Sequence, residues 1–181
     1  MIQQVLFIQG GGEDGYEADE KLVSSLQNEL GKDYEISYPR LHSDEDAGDF
    51  GWPKQIGEEI DKCGDDLILV AHSLGASLLL KYLSENQISK KLTAIFLLAT
   101  PFWSGNKDWV QGLKLQKGFA DNLPKNSQIF FYHCRDDEEV PFHHLAAYRR
   151  EIEGSIFREI ESGGHQLGNH LDIVAKDIKG F

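Results

Sequence analysis

The sequence predicts a three-layer α/β domain in which a mostly parallel sheet is covered by helices on both faces. Three observations carry this prediction. Six strand candidates alternate with helical patterns, four of these candidates are continuously apolar, and 40% of the 181 residues are hydrophobic. A chain of this length has the size of one domain and buries about 70% of the surface of its unfolded form. We therefore expect residues 1–181 to fold as a single domain without disulfides or metal.

The strand candidates differ in how they distribute apolar residues. Four consist of consecutive apolar residues, which is typical of strands buried on both faces of a parallel sheet: 5–8, 67–71, 94–99 and 129–132. Residues 34–38 and 156–160 alternate in part and include charged residues, so we expect them at the edges. Right-handed crossovers then predict the doubly wound strand order 2-1-3-4-5-6.

Helical segments with apolar spacings of three and four separate the strands. The first contains Leu22 and Leu26 and ends at Gly31, and the second begins near Pro53 and runs to residue 63. The remaining segments cover about residues 74–83, 143–152 and 171–178. Residues 102–125 carry apolar side chains among three glycines and predict either an irregular segment packed on the core, which we favour, or a flap over a cleft.

Composition and charge exclude several classes of partner. Eighteen basic and thirty acidic side chains give a net charge of −12, which repels nucleic acid and anionic lipid headgroups. The longest apolar runs are far shorter than the roughly 20 residues of a membrane span. The N-terminus shows no basic segment or cleavage site, so we expect a cytoplasmic protein in which Cys63 and Cys134 are reduced structural thiols.

The most informative segment is residues 67–77, LILVAHSLGAS, where a buried strand runs directly into small residues and a helix. This context is typical of a nucleophile elbow, a strained turn that exposes a serine above the sheet. Ala71 and Gly75, two residues before and after Ser73, satisfy its steric demand. The helix N-terminus directs free N–H groups at an oxyanion formed beside the serine. The alternative is a tight turn whose serine caps the helix.

A serine nucleophile needs a base within hydrogen-bond reach and a carboxylate that orients the base. Residues 133–141, after the fifth strand, contain four consecutive acidic residues, and residues 163–166, after the sixth, read GGHQ. Both loops follow carboxyl ends of strands and so open onto the sheet edge where Ser73 lies. The order along the chain is serine, acid, histidine.

With these features the chain resembles the α/β-hydrolases over nearly its whole length, in a minimal, lid-less form without the first two strands of larger members. It is similar to compact serine hydrolases such as the retinoblastoma-binding serine hydrolase family, which share its size and the order of these residues. The resemblance assigns the nucleophile to Ser73 and the base to His165. It assigns the orienting acid to Asp137 through the D-x-x-V-P pattern, with Asp136 as the nearest competitor.

The resemblance also implies an oxyanion hole after the first strand, which ends in Gln9 and three glycines. One N–H is expected from Gly11, with Gly10 as the alternative, and the second from Leu74. A phosphate cradle is the competing interpretation, but the lysine of GxxxxGK[ST] and the spacing of GxGxxG are missing. Two residues depart from the family pattern: Ala71 replaces the first elbow glycine, and Gln9 replaces a histidine, for which we expect reduced activity.

The expected function is cleavage of a small ester or thioester through an acyl-enzyme, with no cofactor and no metal. Gly10, Phe102 and Trp103 are predicted to line the substrate pocket, and Trp52 and Trp109 are further candidates. The alternatives are an amidase or peptidase with the same triad, and a non-catalytic binding module with this fold. The sequence leaves the oligomeric state open, although the edge strand at residues 156–160 could pair with a second copy.

Overall fold

Six strands and five α-helices alternate along residues 2–181, the part of the chain that the computed structural model describes. The strands are β1 (Gln3–Ile8), β2 (Tyr34–Ser37), β3 (Leu67–His72), β4 (Leu92–Leu98), β5 (Gln128–Cys134) and β6 (Ile156–Ile160). The helices are α1 (Gly15–Leu30), α2 (Trp52–Lys62), α3 (Ser73–Glu85), α4 (His143–Glu151) and α5 (Asp172–Ile178). No helix in this range has the length and apolar character that crossing a membrane requires.

The strands form one sheet in the order β2-β1-β3-β4-β5-β6, which confirms the predicted topology. Every neighbouring pair is parallel, so the sheet is entirely rather than mostly parallel. The continuously apolar strands β1, β3, β4 and β5 are buried in the centre, while β2 and β6 are partly exposed at the edges. A parallel sheet directs the loops that follow its strands to one edge, which is where the predicted site residues lie.

Each face of the sheet carries its own apolar cluster because side chains alternate along a strand. Leu6 and Ile8 of β1 belong to a cluster with α2, α3 and α4, whereas Val5 and Phe7 pack with α1 and α5. Both cysteines are free thiols. Burial raises the pKa of Cys134 to about 11, so this thiol stays protonated at neutral pH and packs as a small apolar side chain.

Residues 102–125 form two short 3₁₀ helices, Asp108–Leu113 and Phe119–Asn122, joined by irregular chain. Leu113 and Phe119 are buried in the cluster that contains α3. Trp109 is exposed. The segment therefore packs on the core, as its apolar content favoured, and its glycines explain why it forms no longer helix.

Candidate active site

Ser73 lies at the tight turn between β3 and α3. Its φ of 51° is left-handed, a conformation that costs a non-glycine residue about 1–2 kcal/mol. The turn depends on Gly75, because a Cβ there would lie 2.0 Å from the backbone oxygen of Gln9. Ala71 is completely buried in β3 between Ile8 and Leu97 of the neighbouring strands, so the sheet accommodates its methyl group.

Hydrogen bonds connect Ser73, His165 and Asp137 in series. His165 Nε2 lies 2.9 Å from Ser73 Oγ, and His165 Nδ1 lies 3.0 Å from Asp137 Oδ2. The side chains of His165 and Asp137 are almost completely buried. The three loops after β3, β5 and β6 thus bring together a hydroxyl, an imidazole and a carboxylate that lie 28 to 92 residues apart in sequence.

Asp137 is held from several directions. Its Oδ1 accepts the backbone N–H of Val140 at 2.8 Å and of Glu139 at 2.9 Å. His133 Nε2 lies 3.3 Å from Oδ2 and also donates to the carbonyl oxygen of Val140. Burial by itself raises the pKa of Asp137, but the hydrogen bonds from His133, His165 and the backbone outweigh it and hold this pKa well below its ordinary value. Asp137 is therefore ionised throughout the neutral range.

Burial and charge act on His165 in opposite directions. Burial lowers its pKa, whereas the hydrogen bond to Asp137 and the charges of Asp137, Glu139 and Asp19 raise it. The result is a pKa above the ordinary value of 6.5. The imidazole thus faces the Ser73 hydroxyl with Nε2 while the Asp137 carboxylate favours its protonated form, as a general base requires.

The four acidic residues after β5 divide their contacts over the loop that carries His165. Asp136 Oδ1 accepts the backbone N–H groups of Gly163 and Gly164 at 3.0 and 2.8 Å. Glu138 Oε2 accepts the N–H of His165 at 3.1 Å. Asp137 is thus the acid that contacts the imidazole, and its competitor Asp136 holds the backbone of the same loop.

The glycine loop after β1 faces the elbow. The N–H of Gly10 is taken, because it donates to Asp19 Oδ2 at 2.7 Å. Gly11 lies against Leu74, since a Cβ on Gly11 would come within 2.7 Å of the Leu74 side chain. Within residues 2–181 the N–H groups of Gly11 and Leu74 donate to no protein acceptor. The geometry thus favours Gly11 over Gly10 as the oxyanion donor beside Leu74.

The side chain of Gln9 makes hydrogen bonds that hold the glycine loop after β1. Its Oε1 accepts the N–H of Leu41 at 2.7 Å, and its Nε2 donates to the carbonyl oxygen of Gly10 at 3.3 Å. The side chain is buried. Gln9 therefore supplies a donor and an acceptor that tie the glycine loop to the chain after β2.

A second aspartate and histidine pair lies on the other side of Ser73, and the sequence did not predict it. His72 Nδ1 lies 2.9 Å from Asp19 Oδ1, and His72 Nε2 lies 3.0 Å from the carbonyl oxygen of His165. Both side chains are 1% exposed. Asp19 also accepts Gln166 Nε2 at 3.3 Å in addition to Gly10 N–H. One sequence signal was available: Asp19 shares the helical spacing of the buried residues Leu22 and Leu26, and a carboxylate on an apolar face needs partners.

A cavity of about 250 Å³ opens at Ser73. It is lined by the glycine loop at Gly10 and Gly11 and by the carboxylates of Asp14 and Glu139. His165, His72 and Asp19 line it as well, whereas Asp137 does not. Phe102 and Trp103 do not line this cavity. They border a separate one of about 330 Å³ with residues 104–105 and 114–119.

The contacts of the predicted pocket aromatics explain their placement. Phe102 donates its backbone N–H to His144 Nδ1 at 2.8 Å, and Trp103 Nε1 donates to Ser77 Oγ at 3.0 Å. Trp52 is buried in the core between α2 and the sheet. In the described part of the chain, no three His, Cys, Asp or Glu side chains are grouped as a metal site would require.

Known proteins resemble this chain in sequence and in structure. Residues 18–169 match the sequence model of the serine hydrolase family, whereas no curated protein sequence matches the chain. The ydeN gene product from B. subtilis is 20% identical, with a TM-score of 0.65 over 98% of this chain and 97% of that one. Est1E from Butyrivibrio proteoclasticus, solved with ferulic acid bound, is 17% identical, with a TM-score of 0.73 over 99% and 87%.

Arabidopsis thaliana SOBER1 is a third similar structure, at 16% identity and a TM-score of 0.66 over 98% of both chains. At these identities the solved structures establish the α/β-hydrolase fold, in agreement with the sheet order described above. The family match extends over most of the chain and includes the elbow and the loops after β5 and β6. The chain therefore belongs to the serine hydrolase family.

Proposed function

We propose that the protein cleaves a small ester or thioester through an acyl-enzyme on Ser73, with His165 as general base and Asp137 as the orienting acid. The observation that carries this proposal is the position of His165. Its Nδ1 lies 3.0 Å from an ionised carboxylate, and its Nε2 lies 2.9 Å from the Ser73 hydroxyl. An imidazole fixed in this tautomer accepts the serine proton as the oxygen attacks a carbonyl carbon.

Acylation follows from the same geometry. Ser73 Oγ bonds to the carbonyl carbon while its proton passes to His165 Nε2, and the carbonyl oxygen becomes an oxyanion. The N–H groups of Gly11 and Leu74 stabilise that oxyanion, each by about 3 kcal/mol in the transition state. His165 then gives the proton to the leaving alcohol or thiol as its bond to the carbonyl carbon breaks.

Deacylation repeats these steps with water. His165 removes a proton from a water molecule that attacks the acyl carbon, and the proton is returned to Ser73 Oγ as the acid leaves. Asp137 keeps its negative charge throughout and stabilises the imidazolium in both halves. No step requires a metal or an organic cofactor.

The shape of the site supports a small substrate. The cavity at Ser73 measures about 250 Å³, and part of its wall consists of glycine backbone from the loop after β1. The similar Est1E structure holds ferulic acid, a small carboxylic acid. A small carboxylic ester of about this size is therefore the substrate class that we favour over bulky lipids.

Labelling with a fluorophosphonate probe tests the proposal, because the probe reacts only with an activated serine. We expect one adduct, mapped to Ser73 by peptide mass, which is lost in Ser73→Ala and strongly reduced in His165→Ala. Ser104→Ala, at a serine outside the cavity at Ser73, is the matched control and should label normally. A folded protein that does not label would overturn the proposal in favour of a binding module. Faster cleavage of an amide than of the matched ester would instead indicate an amidase.

A further inference from the structure

Glu139 places a carboxylate beside the nitrogen that exchanges protons in the site. Its Oε2 lies 3.7 Å from His165 Nε2, and its side chain is 69% exposed. Its backbone is fixed, since its N–H donates to Asp137 Oδ1 at 2.9 Å. No Lys or Arg within residues 2–181 forms an ion pair with it. The negative charge of Glu139 is therefore available to a bound molecule.

The remaining charges of the cavity have the same sign. Asp14 and Glu139 line the cavity without a Lys or Arg partner, and no Lys or Arg among the described residues lines it. Asp14 makes no capping hydrogen bond with its side chain at the start of α1. Asp19 also lines the cavity, but it is buried and paired with His72. The opening at Ser73 is thus negatively charged, in a chain whose net charge is −12.

The proposed mechanism places the leaving group of the substrate next to the Glu139 carboxylate. His165 Nε2 gives its proton to the leaving group, so the leaving oxygen or sulfur lies next to Nε2 and close to Glu139. A charged substituent a few bonds from the leaving atom then lies within several ångströms of the carboxylate. At such distances the Coulomb interaction is appreciable at low ionic strength, and a Debye length of about 10 Å at 0.1 M salt leaves it partly unscreened.

We infer that the site prefers esters or thioesters whose leaving group carries a positive charge, such as an ammonium or quaternary ammonium group. This inference rests on the proposed function and specifies its substrate class. The covalent steps are unchanged: Ser73 Oγ bonds to the acyl carbon, the carbon to oxygen or sulfur bond breaks, and the leaving group receives the proton from His165.

Three thioacetates of similar shape isolate the effect of charge. They carry a 2-(trimethylammonio)ethyl, a 3,3-dimethylbutyl or a 2-sulfonatoethyl group on sulfur, and they are cationic, neutral and anionic. We expect kcat/KM, divided by the rate of spontaneous hydrolysis, to fall by about fivefold to tenfold at each step at low ionic strength. The differences should shrink in 0.5 M salt, where the Debye length is about 4 Å.

Two variants attribute the preference to the cavity. Glu139→Gln should reduce the ratio of cationic to neutral rates about threefold, and Asp14→Asn should reduce it by a smaller factor. Glu153→Gln is the matched control, because Glu153 is exposed before β6 at the opposite edge of the sheet. It removes the same charge and should leave the ratio unchanged. Ratios within one variant cancel any change in the reactivity of His165.

The outcomes separate the two proposals. If Ser73 reacts with the fluorophosphonate but the three thioacetates react equally fast, or none reacts, the inferred preference is wrong and the nucleophile assignment stands. A preference that survives both substitutions in the cavity would also contradict it. If Ser73 does not react with the fluorophosphonate, the proposed function fails, and the inference fails with it.

Discussion

Two buried pairs of aspartate and histidine flank Ser73, and they differ in what the second ring nitrogen faces. In the Asp137–His165 pair, His165 Nε2 faces a hydroxyl at 2.9 Å. In the Asp19–His72 pair, His72 Nε2 faces the carbonyl oxygen of His165 at 3.0 Å. A hydroxyl both donates and accepts, whereas a carbonyl oxygen only accepts. His165 Nε2 can therefore accept a proton from Ser73, whereas His72 Nε2 can only donate one to the carbonyl oxygen.

The difference shows that the hydrogen-bond partner of Nε2 decides whether an aspartate–histidine pair can accept a proton. His165 has an acceptor nitrogen free for the proton of Ser73, so it can act as a base. His72 must donate from Nε2, and its Nδ1 faces Asp19, so neither nitrogen is free to accept the proton of a substrate. Asp19 also holds the N–H of Gly10, which links the glycine loop, the elbow and the loop of His165. We interpret this second pair as a brace that positions those three loops.

The largest effect is expected from breaking the reacting pair. His165→Ala should lower kcat by about 10⁴-fold or more, because the serine loses its base. Asp137 keeps its contacts with His133 and two backbone N–H groups, so we expect the variant to remain folded. Ester turnover and circular dichroism together check this. A drop of less than about tenfold would contradict the role of His165.

The two neighbouring acids should differ sharply. Asp137→Asn should lower kcat by about 10³ to 10⁴-fold, because an amide no longer fixes the tautomer and the imidazolium. Asp136→Asn removes acceptor capacity for the N–H groups of Gly163 and Gly164 and should cost only about threefold to tenfold in kcat. Each variant serves as the control of the other. Equal losses would show that holding the loop matters as much as contacting the imidazole.

Breaking the brace should affect stability more than chemistry. His72→Ala removes one partner of the buried Asp19 carboxylate, which keeps the Gly10 N–H and Gln166 Nε2 as donors. The expected cost is about 1–3 kcal/mol in the free energy of unfolding. Denaturant unfolding measures this loss, and activity is compared below the melting temperature. The double variant Asp19→Ala/His72→Ala should be less destabilised than the sum of the single variants, by about 1–3 kcal/mol. Strict additivity would argue against the pair.

The pH dependence of activity reports on the protonation of His165. His165 must be neutral to act as a base, and its pKa is raised above 6.5. Activity should therefore be lost as pH falls, with the midpoint of kcat/KM above 6.5. Glu139→Gln removes one of the charges that raise this pKa, so the midpoint of the variant should move to lower pH. A midpoint shifted to higher pH would contradict the position of the Glu139 carboxylate beside His165.

The smallest effect is expected at the elbow residue that departs from the family pattern. Ala71 is fully buried and fits its strand, so Ala71→Gly should not improve activity by more than about twofold. Glycine in a strand costs about 0.5–1 kcal/mol in stability relative to alanine. Thermal unfolding and ester turnover check both statements. A large gain in kcat would show that the methyl group strains the turn.

Local patterns were sufficient for the framework of this protein. Apolar runs at residues 67–71 and 129–132 predicted central strands, and partial alternation at 156–160 predicted an edge. A strand buried on both faces is continuously apolar, whereas a partly exposed strand admits polar residues at alternate positions. The small residues around Ser73 predicted the elbow because the turn is sterically tight, and a side chain at Gly75 would collide with the backbone of Gln9. Chain order and strand ends then brought serine, acid and histidine to one edge.

The sequence by itself determined the fold class, the strand order, the elbow and the loops that supply its partners. The resemblance had already selected Asp137 over Asp136. Only the tertiary structure showed that Asp136 holds the backbone of the His165 loop and that the N–H of Gly10 is occupied, and it revealed the pair of Asp19 and His72. It also placed Phe102 and Trp103 at a different cavity from Ser73. The physical reason is distance along the chain: strand and turn preferences act between near neighbours, whereas hydrogen bonds across 28 to 147 residues depend on ångström-scale loop positions that only packing decides.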